Sequence, residues 1–83
     1  MNRDEILRVL AENVAKVLPD VTERMVREAD QLADLGANSL DRMDIVVGTM
    51  DDLQIRVPTL EVGSAKDIDS LVNVLLRHRS SSS

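Results

Sequence analysis

One stretch decides the fold and the chemistry of this chain: Asp34-Leu35-Gly36-Ala37-Asn38-Ser39-Leu40-Asp41. Its glycine marks the end of a loop, and the residues from Ser39 onward have the spacing of an amphipathic helix. The sequence therefore predicts that Ser39 lies exposed at the start of a helix. The unpaired backbone N–H groups and the positive end of a helix dipole favour a phosphate oxygen at such a place.

Ser39 lacks the neighbours of a hydrolytic nucleophile. An acyl-transfer serine needs a base within hydrogen-bond reach, and the chain's single histidine, His78, lies far away in the C-terminal segment. The glycine two residues after the serine of a nucleophile elbow is also missing. Two interpretations remain: Ser39 caps the helix, as serine often does, or another enzyme modifies it.

Apolar residues recur at helical spacing on both sides of this stretch. A first helix is predicted from about Arg3 to Val17, because an Asn2/Glu5 capping box precedes it and Pro19 ends it. A second helix is predicted from Ser39 to about Leu53.

The C-terminal third predicts two further helices. Residues 59–63 suit a single helical turn packed against its neighbours. Ser64 is the predicted N-cap of the last helix, with Asp67 at its third position, and that helix should end near His78, whose charge would complement the helix dipole. Residues 80–83, all serine, are predicted to be a disordered tail after a single domain formed by residues 1–79.

The segment between the first two helices, residues 19–38, is predicted to be a long loop with one helical turn over residues 22–25. A loop of this length in a small domain is uncommon unless packing or function fixes it. Its apolar residues should pin it to the core: Val21, Met25, Val26, Leu32 and Leu35.

The second helix has two predicted faces. The core face holds Leu40, Met43, Val46, Val47, Met50 and Leu53. The outward face holds Asp41, Asp44, Ile45, Gly48, Asp51 and Asp52. Ile45 either supplies an apolar contact for a docked partner or lies at the edge of the core. Gly48 either admits a close neighbour or is simply tolerated.

The formal net charge of −5 is concentrated around Ser39. Residues 30–52 contain six aspartates and one basic residue, Arg42, whereas the rest of the chain is balanced. Such a localised field would steer basic protein surfaces and repel nucleic acid and anionic lipid. A merely solvated acidic face is the alternative.

The 83 residues, 43% of them hydrophobic, suffice for one modest core, and no apolar run approaches the ~20 residues of a membrane span. The chain has no cysteine, which excludes disulfides and leaves the redox compartment open. No secretory signal pattern is present, so we expect the cytoplasm, and we expect a monomer. Because aromatic residues are also absent, the aliphatic core could repack. A pocket between the second helix and the short third helix would suit an acyl chain, although core packing explains the same residues.

The stretch from Asp34 to Asp41, with the helices around it and the Val57-Pro58 turn, resembles acyl carrier proteins over almost the whole chain. The resemblance implies an all-α fold, a small four-helix bundle of three main helices and a short third one. It also implies that Ser39 carries 4′-phosphopantetheine, taken from coenzyme A by a phosphopantetheinyl transferase, and that the chain itself catalyses nothing.

A narrower resemblance is to the free-standing donor carriers of polyketide β-branching cassettes. Asn38 and Arg42 carry most of it, together with Met50, Leu53 and the Lys66-Asp67-Ile68 segment. It implies an acetyl thioester presented to a hydroxymethylglutaryl-synthase-like enzyme, after loading by an acyltransferase or a decarboxylating ketosynthase. The predicted partner-binding residues are Asp34, Asp41, Asp44, Ile45, Asp51 and Asp52. A general fatty-acid or polyketide carrier, a peptidyl carrier and an unmodified helical adaptor are the alternatives.

Overall fold

The computed structural model describes the backbone of residues 2–81 and the side chains of residues 2–79, and this part of the chain contains helices but no strand. The elements in order are α1 (Arg3–Val17), α2 (Glu23–Glu28), a 3₁₀ turn (Leu32–Leu35), α3 (Ser39–Leu53), α4 (Thr59–Ser64) and α5 (Ile68–Ser81). The predicted all-α bundle of three long helices and one short helix is confirmed.

Helix α1 is the centre of the bundle and packs against α2, α3 and α5. Its predicted bounds are confirmed: the Asn2 side chain accepts the Glu5 N–H at 3.0 Å, and the helix stops two residues before Pro19. Ile6, Leu10 and Val14 are completely buried. Burying three such side chains contributes several kcal/mol, at about 1.5–3 kcal/mol each.

The long segment before Ser39 is pinned to the core as predicted by Val21, Val26 and Leu32, which are buried, and by the half-buried Leu35. The predicted helical turn is present as α2. Met25 is exposed, so its predicted burial is wrong. Its sulfur lies 3.5 Å from the Thr22 N–H, at the start of α2, and this contact turns the side chain toward the helix end.

The start of α5 differs from the prediction. Ser64 is the last residue of α4, and its hydroxyl donates to the Leu60 carbonyl at 3.0 Å, so it cannot cap α5. Asp67 is the cap instead, since its carboxylate accepts the Ser70 N–H at 2.6 Å. Hydrogen bonds from Ser70 hold the pKa of Asp67 below its ordinary value. The same stretch of chain is thus divided between α4 and α5 differently from the prediction.

Helix α5 continues to Ser81, three residues past its predicted end near His78. The disorder of the serine tail stays a prediction, and residues 82–83 lie outside the described residues.

Candidate functional site

Ser39 is the first residue of α3 and is exposed, as the sequence predicts. Gly36 ends the preceding 3₁₀ turn with a φ of +99°, a left-handed conformation that glycine adopts without strain. Ala37 is buried and anchors the loop, and Asn38 is extended. The chain therefore reverses at the glycine and enters the helix with Ser39 facing solvent.

Asn38, and not Ser39, caps the helix. The Asn38 side-chain oxygen accepts the Asp41 N–H at 2.8 Å, and the Asp41 carboxylate accepts the Asn38 N–H at 3.2 Å. This reciprocal capping box stabilises the first turn by about 1 kcal/mol. The alternative that Ser39 acts as the cap is therefore wrong.

The Ser39 hydroxyl makes no hydrogen bond within the part of the chain that is described, and the N–H groups of Ser39 and Leu40 have no acceptor there either. The first residues of a helix have no intrahelical acceptors for their N–H groups. A hydroxyl and two donors are thus available side by side at the positive end of the α3 dipole.

The chain's single histidine is committed elsewhere. His78 Nε2 lies 2.9 Å from Glu61 Oε1, and Arg77 donates to the same oxygen at 2.9 Å. The His78 hydrogen bond, followed by that from Arg77, holds the pKa of Glu61 below its ordinary value. The contact connects α5 to α4. The sequence predicted only that His78 complements the dipole of its own helix, and it did not indicate this contact. Among the residues described, no group of three His, Asp or Glu side chains is placed to hold a metal ion.

The predicted acidic residues fall into two groups. Three of them already bind the protein itself: Asp34 accepts the Gln31 N–H at 3.1 Å, Asp41 belongs to the capping box, and Asp52 accepts from the Asn13 side chain at 2.9 Å. Asp44 and Asp51 are exposed and make no ion pair or hydrogen bond within the described residues. These two carboxylates are therefore available to an external cation.

Ile45 is fully buried, with 0% of its surface exposed, so its assignment to a partner-binding surface is wrong. It belongs to the core face of α3 with Val46, Thr49 and Leu53. The Thr49 hydroxyl donates to the Ile45 carbonyl at 2.7 Å, which allows a polar side chain to be buried there.

The outward face of α3 carries apolar residues that the sequence analysis placed in the core. Leu40 is 71% exposed, Met43 45% and Val47 42%. Seven of the 15 residues of this helix are apolar. Their spacing fits two overlapping stripes, and periodicity alone could not select the buried one. The signal that distinguishes them is Ile45-x₃-Thr49-x₃-Leu53, a second row at four-residue steps that lies across from Leu40 and Val47.

Gly48 admits a close neighbour, which was one of its two predicted roles. A Cβ at this position would overlap the side-chain oxygen of Asn13 in α1. Asn13 is itself buried, and its amide donates to the Val9 carbonyl at 3.0 Å and to Asp52 at 2.9 Å. The close approach and the Asn13–Asp52 hydrogen bond hold α1 against α3.

Arg42, one turn after Ser39, connects α3 to the end of α4. Its guanidinium donates to the carbonyl of Val62 at 3.3 Å and to that of Ala65. A cleft of about 270 Å³ lies between these helices and the 3₁₀ turn, where we expected room for an acyl chain. It is lined by Gln31, Ala33, Arg42, Gly63 and Lys66, which expose polar and apolar surface in similar amounts.

The described helices include none with the length and apolar character needed to cross a bilayer.

Comparison with known proteins identifies the family. The sequence model of the phosphopantetheine attachment site matches residues 8–75. The polyketide biosynthesis acyl-carrier-protein AcpK of Bacillus subtilis (strain 168) is 36% identical over 75 residues, which cover 90% of this chain and 92% of that protein. An acyl carrier protein of Thermosynechococcus vestitus (strain NIES-2133 / IAM M-273 / BP-1) is 28% identical over 75 residues, 90% of this chain and 93% of that protein. No solved structure gives a significant match.

Because the family model covers most of the chain and the first relative aligns over nearly its full length, this chain belongs to the phosphopantetheine-attachment family: it is an acyl carrier protein, a non-catalytic carrier that takes phosphopantetheine as its prosthetic group and acts with a phosphopantetheinyl transferase and acyl-handling enzymes.

Proposed function

We propose that Ser39 carries the 4′-phosphopantetheine and that the chain is the acetyl donor to a hydroxymethylglutaryl-synthase-like enzyme in polyketide β-branching. The observation that carries the attachment is the exposed, unpartnered Ser39 hydroxyl at the first position of α3. The capping box leaves this hydroxyl unused, because Asn38 performs the capping.

The surroundings of Ser39 fit a phosphodiester. The N–H groups of Ser39 and Leu40 lie beside the hydroxyl and would donate hydrogen bonds to a phosphate oxygen, and the dipole of α3 favours its negative charge. In the transferase, the Ser39 oxygen attacks the coenzyme A phosphate that bears the pantetheine. The new Ser39 O–P bond replaces the pyrophosphate P–O bond, the serine proton passes to a base of the transferase, and adenosine 3′,5′-bisphosphate leaves. The group then supplies a thiol that holds acyl chains as thioesters.

The outward face of α3 is the proposed docking surface for partner enzymes. Its unpaired Asp44 and Asp51 alternate with the exposed Leu40, Met43 and Val47. Carboxylates orient a basic partner, and apolar side chains between them supply burial that strengthens the complex. Asp34, Asp41 and Asp52 contribute charge to this field while their oxygens also serve the fold.

The polyketide assignment is supported by the 36% identity to a carrier named for polyketide biosynthesis. The donor role rests on the resemblance at Asn38 and Arg42, each of which has a local task in this fold as helix cap and as connection to α4. A general fatty-acid or polyketide carrier is the second candidate, favoured by the relative named only as an acyl carrier protein.

The attachment is tested by incubating the chain with a phosphopantetheinyl transferase and coenzyme A and measuring the intact mass. Wild type and the control Ser64→Ala, which removes another exposed serine hydroxyl, should both gain one phosphopantetheine. Ser39→Ala should gain none. A Ser39→Ala chain that is still modified would contradict the proposal.

The donor role is tested separately with the acetyl-loaded chain. A hydroxymethylglutaryl-synthase-like enzyme and an acceptor carrier loaded with a β-ketoacyl chain should take the acetyl group from it, seen as a mass loss on one carrier and a gain on the other. Transfer by a fatty-acid ketosynthase but by no enzyme of the β-branching class would favour the general carrier.

The docking surface is tested by charge reversal. Asp44→Lys with Asp51→Lys should weaken partner binding while circular dichroism stays helical. The matched control is Glu12→Lys with Asp20→Lys, which makes the same charge change at exposed positions outside α3. Equal weakening by both pairs would mean that only net charge matters.

A further inference from the structure

The cleft between α3, α4 and the 3₁₀ turn has a basic lining at the acidic end of the molecule. Arg42 is the single basic residue in the acidic segment 30–52, and the fold adds Lys66, which lies distant in sequence. The lining contains no carboxylate. Lys66 is exposed and makes no hydrogen bond or ion pair within the part of the chain that is described.

These two cations contrast with the arginines that form ion pairs. Arg3 pairs with Asp69, Arg27 with Asp4 and Glu23, and Arg77 with Glu61. Arg42 instead binds two neutral carbonyls and has no ion pair with a carboxylate of the described residues. The cleft therefore holds two positive charges without a direct carboxylate partner, which favour an anion.

The cleft lies beside the proposed attachment position. Arg42 is three residues after Ser39 in the same helix, and residues at this spacing are neighbours on a helix surface, with Cβ atoms roughly 5–6 Å apart. Gly63 forms part of the wall on the α4 side, and no atom lies within 4 Å of where its Cβ would be. No side chain of residue 63 therefore narrows the cleft on the α4 side.

The size and charge of the cleft indicate which kind of group it can bind. At about 270 Å³ it falls just below the volume of sites that enclose a whole drug-sized ligand, roughly 300–1,000 Å³. An alkyl chain in this cleft would desolvate both cations without pairing them, whereas an anionic group would pair with them. One anionic oxygen group fits these requirements.

We propose that this basic cleft binds an anionic oxygen group of the prosthetic arm or its cargo, with Lys66 and Arg42 as its ligands. The anion is either the phosphodiester at the root of the arm or a carboxylate at the end of the cargo, as in a dicarboxylic acid bound through one thioester. This inference rests on the proposed attachment to Ser39. It names the charge of the group that the carrier would hold against its own surface.

The test compares four forms of the ¹⁵N- and ¹³C-labelled chain by NMR: apo, phosphopantetheinylated, acetyl-loaded and malonyl-loaded, each verified by intact mass. The signals followed are the amides of Gly63 and Lys66 and the side-chain ε-methylene of Lys66. Changes between apo and phosphopantetheinylated chain identify the phosphodiester as the anion. Changes that occur only between the acetyl-loaded and malonyl-loaded forms identify the carboxylate.

Lys66→Gln provides the matched variant, since Lys66 has no hydrogen bond or ion pair within the described residues to lose. It should remove most of the change at Gly63, whereas Lys16→Gln, which deletes the same charge on α1, should leave it as in wild type. A mass-verified chain whose cleft signals stay constant in all four forms would overturn the inference while the proposed function stands. Undiminished changes at Gly63 in Lys66→Gln would overturn it too. A chain that the transferase leaves unmodified in the mass spectrum would overturn both proposals.

Discussion

Helices α3 and α4 face each other across the basic cleft and are held in place by different means. Helix α3 has 15 residues, a capping box at its start and the guanidinium of Arg79 on the Leu53 carbonyl, 3.0 Å away, at its end. It also buries a continuous row of side chains against α1. Helix α4 has six residues, no side-chain cap at its start and one buried residue, Val62.

The short helix therefore depends on contacts from its neighbours. Arg42 binds its last carbonyls, and its Glu61 binds Arg77 and His78 of α5. Isolated helices of this length are not stable in water, so these ties and the burial of Val62 keep it folded. The comparison teaches that α3, which presents Ser39, is rigid. Helix α4, on the opposite side of the cleft, is the part that unfolds locally first.

The largest contrast is expected from truncating one apolar side chain in each helix. Ile45→Ala should lower the free energy of unfolding by about 2–5 kcal/mol, because it leaves a cavity at a fully buried site. Leu60→Ala should change it by less than about 0.5 kcal/mol, because Leu60 is 85% exposed. Urea unfolding followed by circular dichroism measures both, and the milder Ile45→Val should cost about 0.5–1.5 kcal/mol if Ile45→Ala does not fold. Similar losses for Ile45→Ala and Leu60→Ala would remove the distinction between the helices.

The glycines provide a second contrast. Gly48→Ala should destabilise the protein by about 1–2 kcal/mol, since the overlap with Asn13 and the strain on its hydrogen bonds exceed the gain in helix propensity. Gly63→Ala should stabilise it by about 0.5–1 kcal/mol, because its Cβ would meet nothing and α4 is short of helix formers. Thermal unfolding measures both. In the Asn13→Ala background, the penalty for Gly48→Ala should disappear; a penalty that persists there would place the clash elsewhere.

Removing the Arg42 connection should affect the two helices unequally. Arg42→Met keeps a long side chain but loses the hydrogen bonds to Val62 and Ala65, at a net cost of about 1 kcal/mol. Amide hydrogen exchange should become faster in α4 and stay slow in α3. Arg56→Met, at an exposed arginine that binds no such carbonyls, is the control. Equal acceleration throughout both helices would show that Arg42 supports global stability and not the attachment of α4.

The smallest effect is expected from removing the contact of Glu61 with His78 and Arg77, and it should depend on pH. The pKa of Glu61 is lowered in the folded protein, chiefly by His78, so Glu61 binds a proton more readily in the unfolded chain than in the folded one. The stabilisation is therefore present above the ordinary glutamate pKa of about 4.3 and is lost as pH falls through the lower folded value. Glu61→Gln should show a shallower loss of stability between about pH 5 and pH 2 than wild type.

The matched control for that titration is Glu12→Gln, at an exposed glutamate with no partner within the described residues. It should keep the wild-type slope in this pH range. If Glu61→Gln keeps that slope as well, the tie between α4 and α5 does not contribute to stability.

The sequence predicted helix bounds correctly where residues close in sequence determine them. The bounds of α1 and α3 were predicted because their start signals act within one turn: Asn2 on Glu5, and the glycine turn before Ser39. The caps were less certain, since serine, asparagine and aspartate all serve this role. Asn38 and Asp67 took it, and Ser39 and Ser64 did not.

The faces of α3 were assigned correctly only in part, because apolar residues occur on both: Val46 and Leu53 are buried as predicted, whereas Leu40, Met43 and Val47 are not. Hydrophobic spacing indicates that a helix has an apolar stripe. Here the exposed Leu40, Met43 and Val47 fit helical spacing as well as the buried Ile45 and Leu53 do. The position of α1, fixed by the Asn13–Gly48 contact, selects the side that is buried. A carrier that must bind partners has a reason to keep the other apolar row exposed.

The sequence by itself determined the helical class, the exposed position of Ser39 and the acidity around it, because each follows from residues within one or two turns. The tertiary structure decided which row of α3 meets the core, that Lys66 joins Arg42 at the cleft, and that His78 reaches Glu61. These outcomes depend on how helices distant in sequence are packed. Packing responds to the shape and burial of every neighbour at once, and no local pattern contains that information.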